Sequence, residues 1–425
     1  MLNNYNYVYN LYKIRYNYNC IYNQGDKIMF ERPLYLNRLR KYRDTEFIKV
    51  ITGVRRSGKT FLLQMLKNDL LKSGIAPEQI IDINFESMKY SKLTEKEPFY
   101  NYVMQRAVSG KKMYLFFDEV QRVNQWQDAV NSFRVDLDAD IYISGSNASL
   151  LSGELATLLT GRMVEIPVYP LSFKEYLLFK QSTDNPDIEF YRYINEGGFP
   201  AAVLSPDPEV KGTVIDGIYS SILLKDVTER AKIRDDQTLI RLSQYLLSEV
   251  GNQISANKIA GVLKNEGFKS ANNVSISRYL HYLTDAYLFH EAKRFDIRGK
   301  NYLRSNSKYY AIDLGLRNTT LNKNYKDNIG HQIENVVYLE LLRRGYKVDV
   351  GKDGNQEIDF VAKKGNEIEY YQVTQQIPDN SDRKIQNLMN ISDNYKKTLI
   401  TANRMDVGEQ NGIPIVHIID WLLEE

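Results

Sequence analysis

The stretch Gly53-Val54-Arg55-Arg56-Ser57-Gly58-Lys59-Thr60 fits the spacing G-x-x-x-x-G-K-[ST] at each fixed position. Glycine accepts backbone conformations that let successive N–H groups curl around an anion, and a helix starting at the end of the loop turns its positive pole to the same point. The chemistry is phosphate binding. It needs a strand before the loop and a helix after it; the apolar residues 47–52 and the helical pattern from Lys59 provide them. Gly53, Arg56, Ser57, Gly58 and Lys59 are the expected phosphate contacts, with Lys59 reaching the β- and γ-phosphates and the Thr60 hydroxyl holding Mg2+. One of Arg55 and Arg56 is expected to face solvent or pack on the sheet instead.

A second group follows downstream. Residues 113–117 are all apolar and end in Asp118-Glu119, the pattern of a buried parallel strand delivering two carboxylates at its C-terminal tip. Ligands of open α/β sheets bind at that edge. Asp118 is expected to meet Mg2+ directly or through water, and Glu119 to polarise the water that attacks the γ-phosphate. A further strand ends in Ser144-Gly145-Ser146-Asn147. Ser144 first and Ser146 second are candidates to sense the γ-phosphate or hold the water, against a plain serine-rich turn capping the next helix. Arg162 is a candidate to stabilise transition-state charge, within its own chain or across a subunit contact, against an exposed salt bridge.

Positioning these groups takes a βαβ sheet. Strands are expected at 47–52, 79–85, 113–117, 140–144 and 163–168, and helices at 59–72, around 99–108 and at 124–136. Residues 171–236 read as mostly helical, broken at Gly197-Gly198-Phe199-Pro200 by a hinge, a tight turn or a simple loop. Next come helical patterns at 238–250, 256–265 and 274–287 and strand patterns at 288–295 and 308–312, the order of a winged helix-turn-helix. Between Gly251 and Arg304 nine Lys and Arg (258, 264, 269, 278, 293, 294, 298, 300, 304) stand against four acids (266, 285, 291, 296). Ser275, Ser277, Arg278 and His281 on the third helix and Arg298 and Lys300 on the wing would suit DNA phosphates; a lid or a protein contact is the other use of such a module.

At the end of the chain, Glu334 in a helix, Asp359 in a strand and Gln372-Val373-Thr374 in the next strand occupy the positions of a metal nuclease. There, carboxylates bind Mg2+ and an E-x-K lysine helps generate hydroxide. Gln372 removes one anionic ligand and Thr374 removes the lysine, so cleavage is expected to be absent.

A chain of 425 residues implies two to four domains. With 43% apolar and 26% charged residues it has a soluble globular composition. No apolar run approaches the ~18 residues of a membrane helix, and there is no secretory signal, so a cytoplasmic protein without a membrane partner is expected. Cys20 alone excludes disulfides, cysteine-rich zinc sites and thiol catalysis. Residues 1–28 hold seven Tyr and seven Asn without amphipathic period. They read as an AT-rich leader, non-native or disordered, with Met29 opening the folded protein. Without its Lys13, Arg15, Lys27 and Asp26 the net charge falls from +3 to +1, which says nothing about nucleic acid.

The ordered set formed by the phosphate-loop motif, Phe116 to Glu119, Ser144-Gly145-Ser146, Leu159-Thr160-Gly161-Arg162, Tyr169-Pro170-Leu171-Ser172-Phe173, Gly197 to Pro200, Ala311-Ile312-Asp313-Leu314-Gly315-Leu316 and Glu334-Asn335 resembles the AAA-like P-loop ATPases of bacteria and archaea with a C-terminal domain of unknown function. The resemblance implies ATP and Mg2+ as cofactors and an α/β ATPase core at 29–170, of the class with an additional catalytic glutamate. It further implies a helical lid or linker at 171–236, a winged helix at 237–324 and a small α/β restriction-endonuclease-like domain at 325–425. Such cores often assemble. Three readings stay open: a switch or motor engaging double-stranded DNA, a signalling ATPase with a protein partner, and an ATP-gated nuclease. Adenine as the base rests on the resemblance alone.

Overall fold

The computed structural model describes residues 21–24, 27–151, 161–229, 231–233, 235–303, 306–378 and 383–424. Most of the leader at 1–28 lies outside them, as do Leu159 and Thr160; at its end β1 (Ile21–Gln24) pairs antiparallel with β2 (Lys27–Phe30), which runs past Met29. Two compact units emerge, one of residues 1–52, 58–145 and 149–168, the other of 53–57, 146–148 and 169–425.

In the first unit, α1 (Pro33–Lys41) leads into β3 (Ile48–Thr52), α2 (Lys59–Lys72), β4 (Ile80–Asn84), α3 (Lys96–Met104), β5 (Met113–Asp118), α4 (Trp126–Asp136), β6 (Ala139–Ser144) and β7 (Met163–Pro167). The five strands β3 to β7 form one parallel sheet in the order β4-β5-β6-β3-β7. Helices cover both faces, so β3 and β5 are buried from end to end and read as unbroken apolar runs. Successive residues point to opposite faces. Phe117 meets Phe99 of α3 at 4.8 Å and Phe133 of α4, while Phe116 stacks on Tyr142 at 4.9 Å in a cluster with Leu36 of α1 and Leu62 and Leu66 of α2. The strands lie where the apolar runs predict them. The helix expected around 99–108 instead starts at Lys96 and stops at Met104, and a turn at 105–106 and another at 109–110, with Gly110 at φ 74°, lead the chain into β5. The one expected from 124 starts at Trp126, after Gln125 at φ 53°.

One polar pair is sunk in this core. Lys49 of β3 donates to Asp140 of β6 and to Thr45 O (3.2 Å), and Asp140 Oδ2 also accepts Tyr142 Oη–H (2.7 Å) and the Asp44 N–H (2.9 Å). Burial pushes the Lys49 ammonium down from its usual range, and the Asp140 charge beside it opposes that shift.

The second unit begins with α5 (Phe173–Lys180), α6 (Pro186–Glu196), α7 (Pro208–Ser221) and a π-helical stretch, Ile222–Glu229. Then come α8 (Asp236–Ser248), β8 (Gln253–Ile254), α9 (Ala256–Asn265), α10 (Asn273–Asp285), β9 (Phe289–Ala292), β10 (Arg294–Asp296), β11 (Asn301–Tyr302) and β12 (Ser307–Ala311). It closes with α11 (Leu314–Leu321), α12 (Ile329–Arg343), β13 (Lys347–Asp353), β14 (Gln356–Lys364), β15 (Glu367–Thr374), α13 (Arg383–Met389), β16 (Lys396–Thr401), β17 (Gly408–Gln410), β18 (Ile413–His417) and α14 (Ile418–Leu423). Helices α8, α9 and α10 lead into a small antiparallel sheet ordered β8-β12-β9.

The strand expected at 288–295 is two strands. β9 stays with β12, whereas β10 leaves at Lys293 and pairs in parallel with β13 in an eight-stranded sheet ordered β11-β10-β13-β14-β15-β16-β18-β17. The bulge between Asp349 and Gly351 gives the physical reason. A Cβ on Gly351 would stand 2.8 Å from Ile358 and Val361 and 3.1 Å from Ile297, so only glycine lets the hairpin approach here.

Replacing Asp140 by Ala leaves the Lys49 ammonium buried without its counter-charge. Urea unfolding should show a loss of about 3–5 kcal/mol. The Lys49→Met/Asp140→Leu double variant, which removes both charges, should lose less than Asp140→Ala alone.

Candidate functional site

Four side chains singled out in the sequence meet at the C-terminal edge of the parallel sheet in the first unit. Gly58 takes φ 102° and caps α2, whose first turn carries no acid to cancel the positive helix end. Lys59, the first residue of that helix, is buried. The Thr60 hydroxyl donates to Asp118 Oδ2 at 2.7 Å, and Ser144 Oγ donates to Asp118 Oδ1. Ser144 Oγ in turn accepts the Glu119 N–H at 3.3 Å. A hydroxyl and a carboxylate side by side are the hard oxygen donors Mg2+ prefers, so Thr60 and Asp118 fit that ion.

Glu119 adopts φ 55° and ψ 44°, left-handed for a non-glycine residue, and its Oε2 accepts Gln121 Nε2 at 2.5 Å. Burial pushes its carboxyl above the ordinary glutamate value. The Lys59 charge opposes that, Asp118 adds to it, and the Gln121 hydrogen bond opposes it.

Sequence reasoning missed two members of this group. Asn84 ends β4 directly beside Asp118 in the ladder and donates to Asp118 Oδ2 at 3.0 Å. Its signal was available, since it is a polar residue closing an apolar strand at the ligand edge. Gln121 had none, because only the left-handed turn at Glu119 brings it back.

The first residues of the phosphate loop carry the expected unusual backbone, Gly53 at φ 134° and Arg56 at φ 64°. Arg56 is exposed. Arg55 is the one held by protein, through Nε (3.0 Å) and Nη2 (3.1 Å) on Asp226 of the π-helical stretch, within the second unit. Ser146 Oγ also reaches Asp226, at 3.5 Å. Nothing in the sequence marks Asp226, although π-helical segments recur at functional sites. Arg162 is not brought to the group. It precedes β7, its carbonyl accepts the Ile48 N–H, and so it lies at the N-terminal edge of the sheet. The strand of five residues that separates it from the ligand edge spans about 16 Å, too far for its side chain to serve that site in its own chain.

On α10, Ile276, Tyr279, Leu280 and Leu283 are buried and Ser277, Arg278 and His281 are exposed on the outer face. His281 sits 3.3 Å from Asp285. Ser275 is a cap, exchanging hydrogen bonds with Asn272 at the start of the helix. Arg298 and Lys300 belong to the β10–β11 hairpin, and Arg298 is bound to Asp353 of β13.

In the C-terminal part, Glu334 on α12, Asp359 on β14 and Gln372 on β15 are all buried. Two lysines that sequence reasoning did not consider reach them. Lys308 of β12 stands 2.9 Å from Glu334 Oε1 and 2.9 Å from Glu357 Oε1. Lys384 of α13 stands 2.6 Å from Asp359 Oδ2. Thr374 donates to Gln376 O at 2.7 Å.

With this geometry in hand, comparison with known proteins gives a family and a domain. An AAA domain family matches residues 45–177, and a Domain of unknown function (DUF8612) matches 187–327. An uncharacterized protein of Haemophilus influenzae is 44% identical over 94% of this chain and 100% of its own length. The uncharacterized protein MJ1544 of Methanocaldococcus jannaschii is 36% identical over 76% of this chain and 71% of its own. Among solved structures, Aeropyrum pernix ORC1 in complex with DNA is 14% identical, covering 68% of this chain and 91% of that one at a TM-score of 0.32. AMPPCP-bound DnaA from Aquifex aeolicus is 15% identical over 59% and 85% at 0.29. Among the described residues no helix is long and apolar enough to cross a membrane. The chain therefore belongs to one family with the Haemophilus influenzae protein and MJ1544, and it carries an AAA-like P-loop ATPase domain at 45–177.

Proposed function

We propose that the protein binds ATP with Mg2+ and hydrolyses it, acting as a switch or motor that engages double-stranded DNA through a winged helix. The observation that carries the first half is the group around Asp118: a hydroxyl from the start of α2, a carboxylate with neutral donors on both oxygens, and a second carboxylate one residue on. Lys59 and the loop N–H groups from Gly53 to Gly58 hold the phosphates. Thr60 and Asp118 would hold the ion, which would supply positive charge against the phosphate oxygens. Glu119 takes the proton of the attacking water, and Ser144, bonded to Asp118 and to the Glu119 N–H, positions the two carboxylates relative to each other. Arg162, at the far edge of the sheet, is left for the site of a second copy.

The second half rests on α8, α9 and α10 with the β8-β12-β9 sheet, on the exposed Ser277, Arg278 and His281, and on the exposed Lys258, Lys264 and Lys269 nearby. The binding face is the third helix. Arg298 contributes less, since its guanidinium already has a carboxylate partner.

Three outcomes are expected. In steady-state turnover assays, Glu119→Gln should lose about 10²–10⁴-fold in kcat while a fluorescent ATP analogue still binds; binding lost together with turnover would remove Glu119 from the base role. The pH profile supplies the second. The base must be deprotonated and its folded pKa is raised, so turnover should fall as pH drops through a value above the ordinary glutamate range. Gln121→Leu removes the hydrogen bond that favours the carboxylate and should move that acid limb to higher pH. Third, duplex DNA should raise turnover at low salt and lose this effect as salt increases, and Arg278→Ala should weaken the stimulation while leaving DNA-free turnover intact. Turnover indifferent to duplex at every salt concentration would assign the same switch to a protein partner.

A further inference from the structure

The resemblance at Glu334, Asp359 and Gln372 implies a divalent-cation site, and the residues around these positions do not fit one. Among the described residues no three His, Cys, Asp or Glu side chains converge as a metal cage. The Lys308 ammonium, 5% exposed, lies between Glu334 and Glu357 at 2.9 Å from each. Glu334 Oε1 is further occupied by Tyr310 Oη–H at 2.6 Å, and Glu357 Oε2 by the Gln253 amide. Asp359 Oδ2 accepts the Val373 N–H at 2.8 Å and Lys384 Nζ at 2.6 Å, and Lys384 also donates to Val373 O. Gln372 turns its amide N–H to Glu357 O at 2.8 Å, so the residue standing in the place of an anionic ligand acts as a donor.

We propose that this carboxylate cluster is neutralised from within: Lys308 stands in the place of the divalent cation, and the C-terminal domain works without a metal ion there. Two buried carboxylates, Glu334 and Asp359, with the partly buried Glu357 beside them, need a counter-charge wherever they are. A metal ion would supply it from solution, reversibly. Lys308 supplies it from the chain, and because it comes from β12 while Glu357 lies on β14, the same ammonium ties the small β8-β12-β9 sheet to the eight-stranded one. Gln253 of β8 reaches the same carboxylate and doubles the tie. Mg2+ demands near-octahedral oxygen ligation and keeps several waters, which a buried ammonium already bonded to two of the carboxylates denies it. This inference is independent of the ATPase reading, since none of its residues belongs to the phosphate site.

Mn2+ bound to the full chain without nucleotide, counted by electron paramagnetic resonance, tests it. Wild type and Glu334→Gln should bind the same number of ions. Lys308→Ala should gain one site that Lys308→Ala/Glu334→Gln lacks, and Lys308→Arg, which keeps a cation in place, should gain none. A Mn2+ site in wild type that Glu334→Gln abolishes overturns the proposal, whether or not the alanine variant folds. So does a folded Lys308→Ala protein, judged by its circular dichroism melt, that gains no ion.

Discussion

A carboxylate at the tip of a buried strand has to be satisfied without being neutralised, and Asp118 shows how the first unit does so. Its oxygens take hydrogen bonds from Thr60, Asn84 and Ser144, which begin α2 and end β4 and β6. All three donors are neutral. They meet the cost of desolvation while leaving the negative charge available to a cation, which an arginine or lysine in the same place would cancel. The arrangement depends on register: Asn84 is paired with Asp118, and Ser144 ends the strand on its other side. A one-residue slip of either neighbour would turn its polar end to the opposite face of the sheet.

The sequence fragments in the second unit that carry no obvious chemistry have a shared packing account. Asp313 accepts the Gly198 N–H at 2.6 Å with one oxygen and caps α11 through the Leu316 N–H at 2.9 Å with the other. Gly198 O accepts the Leu171 N–H, and Leu171 O accepts Tyr193 Oη–H. Arg343 donates to Pro170 O, and the Asn335 amide pairs with both N–H and C=O of Ala311. A Cβ on Gly197 would come 2.1 Å from Asp313 Oδ1, and one on Gly315 2.2 Å from Glu196 O. The glycine-rich bend is thus pinned rather than an open hinge. Burial raises the Asp313 carboxyl to about 6 against these hydrogen bonds. A raised acid pKa means that the native state holds its proton more tightly than the unfolded chain does. Asp313 therefore favours folding most below its unfolded value and loses that contribution as pH rises through about 6.

Legibility follows from how local each signal is. The phosphate loop, β5 with its two carboxylates and the helix Lys59–Lys72 were readable because periodicity and short-range spacing encode them. Asn84 was within reach of the same logic. Gln121 and Asp226 were not, since a left-handed residue and a pairing 171 positions apart leave no mark in a local window. Gln372 and Thr374 stand out in the sequence as departures from a nuclease pattern. Lys308, paired with Glu334 and Glu357, lay in a segment that read only as a strand, and Lys384, paired with Asp359, lay where no element was read. Buried ion pairs are long-range by nature, and composition cannot say which lysine is inside.

The β10–β11 hairpin shows most clearly why module order alone misleads about use. In sequence it is the polar tip of a wing, free to reach a partner. In the fold its strand is hydrogen-bonded to β13 through Arg294, Phe295 and Asp296, and Arg298 is bound to Asp353. Phe295 and Tyr302 pack edge to face at 5.5 Å, with the Lys363 ammonium 3.1 Å from the centre of the Phe295 ring. Backbone pairing of this kind fixes a strand far more firmly than a tip contact to phosphate would, so the segment is committed to the eight-stranded sheet. Together with Lys308, which reaches the same sheet from β12, it joins the helical module to the C-terminal sheet within the second unit. The pairing of β10 with β13 and the contacts of Lys308 with Glu334 and Glu357 are thus two separate links between this module and the C-terminal sheet.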